Sequence, residues 1–233
     1  MPMAAQISLS IQRNAVGTPK ALASVFQNRR KTWAELAERV ARIAGGLRAL
    51  GLEEGDRVAM LALNSDRYLE YFYAASWAGC VFVPINIRLA PPELVHWLAD
   101  SGSRALIVDD AFAKVVPQFT PHLPGLEHLV FAGEGETSAG MTGFEALAAH
   151  GGVEPSARGG DDLAGLFYTG GTTGVSKGVM LSHGNLVHDS MVAAVHYEMP
   201  EEPVYLHAAP MFHLADGAAT FAVTLAGGAH AYV

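Results

Sequence analysis

The chain is 233 residues long, half of them hydrophobic, with a formal net charge of -8 and a pI near 5.6. That is enough apolar material for a large buried core, and the acidic balance argues against nucleic acid as the main partner. The single cysteine, Cys80, excludes an intrachain disulfide and fits a reducing, cytoplasmic compartment.

No positive charge precedes Arg13 and no long apolar segment opens the chain, so a secretory signal is not expected. Residues 5–16 suit a short helix that Pro19 ends. Residues 21–26 read as a strand, 27–30 as a turn and 31–33 as a brief return strand. Thr32 and Glu35 are spaced as a capping box. Leu36, Val40, Ile43, Leu47 and Leu50 then form one apolar stripe on a helix that stops at Gly51.

Strands and helices alternate from there. Residues 58–63 predict a buried strand, and Asn64 or Ser65 caps a helix reaching about Gly79. Its aromatics, Tyr68, Phe72 and Tyr73, fall at core spacing. Residues 80–85 are the next strand, and Cys80 within it reads as a core thiol rather than a nucleophile. Pro91 and Pro92 open a helix, residues 105–109 are a strand, 111–119 a helix and 126–131 a strand. This order predicts a parallel, doubly wound α/β sheet. Residues 132–160 read as a long connection with a helix-like insert at 144–149.

The densest chemistry follows. Residues 163–168 are an apolar strand, and then comes Thr169-Gly170-Gly171-Thr172-Thr173-Gly174-Val175-Ser176-Lys177-Gly178. Glycines admit positive φ and close backbone approach, successive N–H groups can line an anion nest, and hydroxyls and Lys177 add donors and charge. A triphosphate is the guest such a loop suits. The Walker pattern does not match. G-x-S-x-G does match at residues 174–178, but a hydrolase elbow sets its serine directly between strand and helix. Ser176 lies eight residues past Tyr168 and is followed by the short apolar run 179–181. Ser182 caps a further helix with Leu186, Val187, Met191, Val192 and Val195 on one side. Residues 204–209 read as a strand, 217–226 as a helix and 229–233 as a strand. The apolar end of the chain is too short and too interrupted for a transmembrane span.

Taken together, the run from Tyr168 to Val179 and the following Leu181-Ser182-His183-Gly184-Asn185 resemble the phosphate-binding signature of the adenylate-forming superfamily. The usual form is Y-T-[SG]-G-T-T-G-x-P-K-G-V followed by L-[ST]-H-x-N, and Ser176 stands where proline is usual. G-D-R-V at residues 55–58, A-G-x-x-x-V-P-[IL]-N at 78–86 and [LI]-[IV]-x-D at 106–109 resemble the same family.

The resemblance implies an α/β fold of doubly wound, mostly parallel sheets with flanking helices, corresponding to an incomplete N-terminal domain. Residues 1–55 would be a helical and hairpin segment, 56–200 a first α/β subdomain carrying the phosphate loop, and 201–233 the start of a second. The implied reaction activates a carboxylic acid, fatty or otherwise acyl, with ATP to acyl-AMP and passes the acyl group to coenzyme A. Mg²⁺ would arrive on the nucleotide, and no separate metal site is implied. Thr169, Gly170, Gly171, Thr172, Thr173, Gly174, Ser176 and Lys177 would hold the phosphates. Catalytic roles would fall to Lys177 and to His213, whose Pro210-Met211-Phe212-His213 resembles the segment at the family's acyl pocket. There Asp216 stands where the family has glycine, and Gly217 follows.

The family's later segments, Y-G-x-T-E and T-G-D, and its C-terminal lysine-bearing domain do not occur in these 233 residues. A chain of this extent is therefore expected not to complete adenylation alone. The resemblance leaves room for a homo-oligomer. The alternative reading is a non-catalytic nucleotide-binding or interaction module.

Overall fold

The computed structural model describes residues 5–169 and 176–233. Helix α1 (Ser8–Gly17) leads into the hairpin β1 (Leu22–Phe26) and β2 (Arg29–Thr32), then α2 (Trp33–Ala49). The alternating section follows as β3 (Arg57–Leu61), α3 (Asp66–Ala78), β4 (Val81–Pro84), α4 (Pro91–Ser101) and β5 (Ser103–Val108). After β6 (His128–Phe131) come β7 (Thr142–Gly143), α5 (Phe144–Ala148), β8 (Leu163–Tyr168), β9 (Gly178–Ser182) and α6 (His183–His196). The chain closes with β10 (Val204–His207), α7 (Leu214–Leu225) and β11 (Ala229–Tyr232).

Seven strands form one sheet in the order β7-β6-β5-β3-β4-β8-β9. Its neighbours run parallel except for β8 and β9. Alternate residues of each central strand serve opposite layers. Val58, Met60, Ala105 and Ile107 join the packing that includes α2 and α3, whereas Ala59, Leu61, Leu106 and Val108 join Leu94, Trp97 and Leu98 of α4. Helices on both faces explain why these strands are continuously apolar rather than alternating. The α/β expectation of mostly parallel sheets with flanking helices therefore holds.

Two local expectations change. Residues 111–119 hold no α-helix; a 3₁₀ segment, Ala113–Gln118, takes their place, with Pro117 inside it. Proline lacks the N–H that an i→i−4 bond needs. The apolar run at 179–181 belongs to β9, which turns back antiparallel on β8, so the loop between them closes a hairpin.

The second sheet has the order β10-β11-β1-β2. Strand β1 pairs with β11 in parallel, Ser24 opposite His230, so the early hairpin and the last strands share one sheet. Between the two sheets lies α3, whose every residue is buried. It touches β1 and β11 on one side and β3 and β4 on the other. A helix so enclosed must pair its charges. Asp66 receives Arg29 (2.7 Å) and Lys31 (2.5 Å), and Glu70 receives Arg39 (2.7 Å) and Lys31 (3.0 Å). Burial pushes the Asp66 carboxyl up, but the two cations outweigh it and hold the group below its ordinary range. At the fully enclosed Glu70, burial wins and the carboxyl is raised. Among the described residues, no helix is long and apolar enough to cross a membrane.

Candidate functional site

The loop that the sequence singles out sits on a short two-stranded base. Tyr168 pairs with Gly178, and the Thr169 N–H donates to the Lys177 carbonyl at 3.0 Å. Thr169 and Lys177 thus stand side by side, both exposed, at the carboxyl end of β8, with Ser176 half-buried next to them. Gly170, Gly171, Thr172, Thr173 and Gly174, the remaining expected phosphate holders, lie outside the described residues. Ser176 leads into a strand, β9, so the strand–serine–helix geometry of a hydrolase elbow is not formed.

Helix α4 buttresses this base through residues that sequence reading had not connected with it. The Trp97 indole stacks on the Tyr168 ring, centroids 4.5 Å apart and planes 20° from parallel. One turn on, Asp100 Oδ2 accepts the Tyr168 hydroxyl at 2.6 Å. His96 Nε2 lies 3.4 Å from the Ser176 carbonyl oxygen. Burial and the neighbouring Asp100 raise the Tyr168 phenol, so it stays protonated and donating. The i, i+3 spacing of Trp97 and Asp100 was visible as a helical face, but nothing local indicated what that face would meet.

His213 is placed by a different set of elements. It caps α7 with extended backbone, and its side chain is exposed. The segment before it is gripped by Asn64, at the carboxyl end of β3. The Asn64 Nδ2 donates to the carbonyls of His207 (2.9 Å) and Ala209 (2.7 Å), and its Oδ1 accepts the Met211 N–H (2.8 Å). Asn64, expected only as a helix cap, is thus the clamp of this segment, while Ser65 occupies the cap position of α3.

The two parts meet at Gly217, where a Cβ would lie 3.3 Å from the Phe167 ring. That close approach seats the first turn of α7 against β8. His213 is one helical turn before Gly217 and Thr169 two strand residues after Phe167, each roughly 6 Å of backbone away. Helix α6 packs beside α7. Its Leu186 is buried, but Met191, Val192 and Val195, expected on the same apolar stripe, are exposed. An exposed cation and hydroxyls at the hairpin base form a set that can hold an anion.

Cys80 is buried, its thiol pushed up to about 12 by burial and by Asp56, in keeping with a core role. His183 begins α6 and is buried.

The sequence profile of the AMP-binding enzyme family matches residues 11–233. A feruloyl-CoA synthase of an Amycolatopsis species is 40% identical over 203 residues, covering 87% of this chain and 38% of that protein. A long-chain-fatty-acid–CoA ligase of Thermus thermophilus is 35% identical over 200 residues, covering 85% and 37%. Among solved structures, an anthranilate CoA ligase in complex with anthranoyl-AMP superposes with a TM-score of 0.93 at 25% identity, covering 99% of this chain and 45% of that one. The chain spans less than half the length of each of these proteins.

Proposed function

The chain belongs to the AMP-binding enzyme family, and from that membership we propose that it forms the phosphate-gripping part of a longer ATP-dependent acid–thiol ligase. A carboxylate is a poor electrophile, because its leaving group would be oxide. Attack of a carboxylate oxygen on the α-phosphorus of ATP expels pyrophosphate and leaves an acyl-AMP mixed anhydride. A thiol, that of coenzyme A, then attacks the acyl carbon and AMP departs.

The difficulty of the first step is bringing two anions together. A site must offset their repulsion and hold the attacking oxygen in line. The hairpin base carries this reading: the Thr169–Lys177 bond fixes a cation and a hydroxyl side by side where β8 ends. Lys177 would neutralise charge on the phosphates, with Thr169, Ser176 and residues 170–174 supplying donors. Mg²⁺ would come with the nucleotide and lend further charge. His213 can donate to a carboxylate oxygen of the acid. The exposed Leu214 beside His213 supports an apolar acyl or aryl group.

Lys177→Ala in the intact enzyme is expected to slow ATP–pyrophosphate exchange by about a hundredfold, with little change in KM for the acid. An unchanged exchange rate would overturn the proposal. The 233-residue chain alone is expected to make no acyl-CoA.

A further inference from the structure

Behind His213 lies a buried polar chain that no part of the proposed chemistry uses. His207 of β10, His230 of β11 and Asp216 of α7 are each no more than 1% exposed. Asp216 Oδ2 lies 2.6 Å from His207 Nδ1, and His207 Nε2 lies 2.9 Å from His230 Nδ1. His230 Nε2 is 3.0 Å from Thr224 Oγ1, which donates to the Thr220 carbonyl at 3.0 Å. The other Asp216 oxygen accepts the Tyr205 hydroxyl at 3.1 Å.

Proton counting gives the chain a direction. Thr224 has one hydroxyl hydrogen; directed along the helix to the Thr220 carbonyl, it leaves the oxygen to accept from His230 Nε2–H, the arrangement we assign. Burial and the neighbouring His207 depress the His230 imidazole far below its ordinary range, so it is neutral and its Nδ1 carries no proton. In that arrangement His207 donates from Nε2 to His230, and its Nδ1 is hydrogen-bonded to Asp216. Each nitrogen and oxygen of the chain has its partner, which is the condition under which a buried polar network rigidifies its surroundings.

The chain acts on the segment that carries His213. Asp216 is the third residue of α7, and its own N–H and that of Gly217 donate to the His213 carbonyl at 3.2 and 2.9 Å. Asn64 holds the other end of the segment, at His207, Ala209 and Met211. The departure from the family pattern thus has a physical account. Gly217 takes the close approach to Phe167, and the carboxylate at 216 turns inward to His207. We propose that Asp216 and His207, backed by His230 and Thr224, are positioning residues that hold His213 at the head of α7 for acid activation. This rests on the role for His213 proposed above.

Nitrogen NMR of the 233-residue chain tests the direction. His230 is expected as the Nε2–H tautomer with His207 protonated at Nε2, and a proton on His230 Nδ1 overturns the assignment. In the intact enzyme, Asp216→Asn is expected to lower exchange turnover about tenfold with KM for ATP unchanged, and to add almost nothing in a His213→Ala background. An undiminished further loss in that background shows that Asp216 acts elsewhere and sinks the proposal. If His213→Ala alone leaves exchange unchanged, it is the reading of His213 that fails, and the positioning role falls with it. Should Asp216→Asn not fold, Thr224→Val keeps the volume, removes only the last link, and decides the same cycle by the same criterion.

Discussion

The two sheets bury their residues by opposite rules. The central strands of the seven-stranded sheet send apolar side chains to both faces, and Phe82 meets Phe72, Phe167 and Phe221 at 5.1–5.9 Å. The four-stranded sheet buries Ser24, His207 and His230 as completely. Apolar packing depends on shape and tolerates rotation of a contact, whereas a hydrogen-bonded chain depends on direction. The large sheet is therefore suited to supply stability, and the small one to fix where a few groups point.

Breaking the large sheet should cost most. Phe82 is fully buried opposite Gly165, where a Cβ would overlap its ring. Phe82→Ala empties the space around which β8 is built, and is expected to destabilise by about 4 kcal/mol. Urea unfolding measures this; a loss under about 1 kcal/mol would mean that the aromatic cluster collapses into the gap.

A smaller cost is expected at the ionic knot on α3, between the sheets. Asp66→Ala takes one partner from Arg29 and Lys31, which keep Glu134 and Glu70, whereas removing the sole partner of a buried pair costs about 3–5 kcal/mol. Arg29 keeps 28% and Lys31 13% of its side-chain exposure, so water can take up part of the charge. The expected loss is thus near the lower end, about 3 kcal/mol, by the same measurement. A neutral result would assign the knot to specificity rather than stability.

The same contrast explains what could be read from the sequence. The β3–α3–β4–α4–β5 section was legible because periodicity and caps are local, and the Thr32–Glu35 capping box forms as spaced. Family membership was legible because the glycines and hydroxyls of its signature are contiguous. The pairing of Ser24 with His230 leaves no local trace, since the partners come from opposite ends of the chain. Asp216, His207 and His230 likewise look like unrelated residues until α7 and β10 fold together. Histidine spacing says nothing about a carboxylate nine residues away. The return of β9 was hidden because three apolar residues suit a strand or a buried helix equally. The exposed part of α6 shows a further limit: a stripe records which residues are apolar, and only the fold shows how far along the helix a neighbour covers them.

The smallest effect concerns pH and sets a lone buried histidine against the paired ones. His183 is 1% exposed, and neither ring nitrogen has a partner among the described residues. Burial, then Arg158, lowers its pKa to about 4, against a weaker opposing pull from Asp162. The unfolded chain would titrate this side chain near 6.5. Above that pH both states are neutral and the stability is fully present. As pH falls from 6.5 toward 4, the unfolded state takes the proton first and the fold loses stability, by about 2 kcal/mol at pH 5. His183→Phe keeps an aromatic ring without the titration. Denaturation at pH 7.5 and pH 5 should therefore show the substituted chain losing about 2 kcal/mol less than the parent across that interval. Equal losses in the two chains would mean that His183 gains a solvated or paired conformation as it charges, and that the helix start at residue 183 opens in acid.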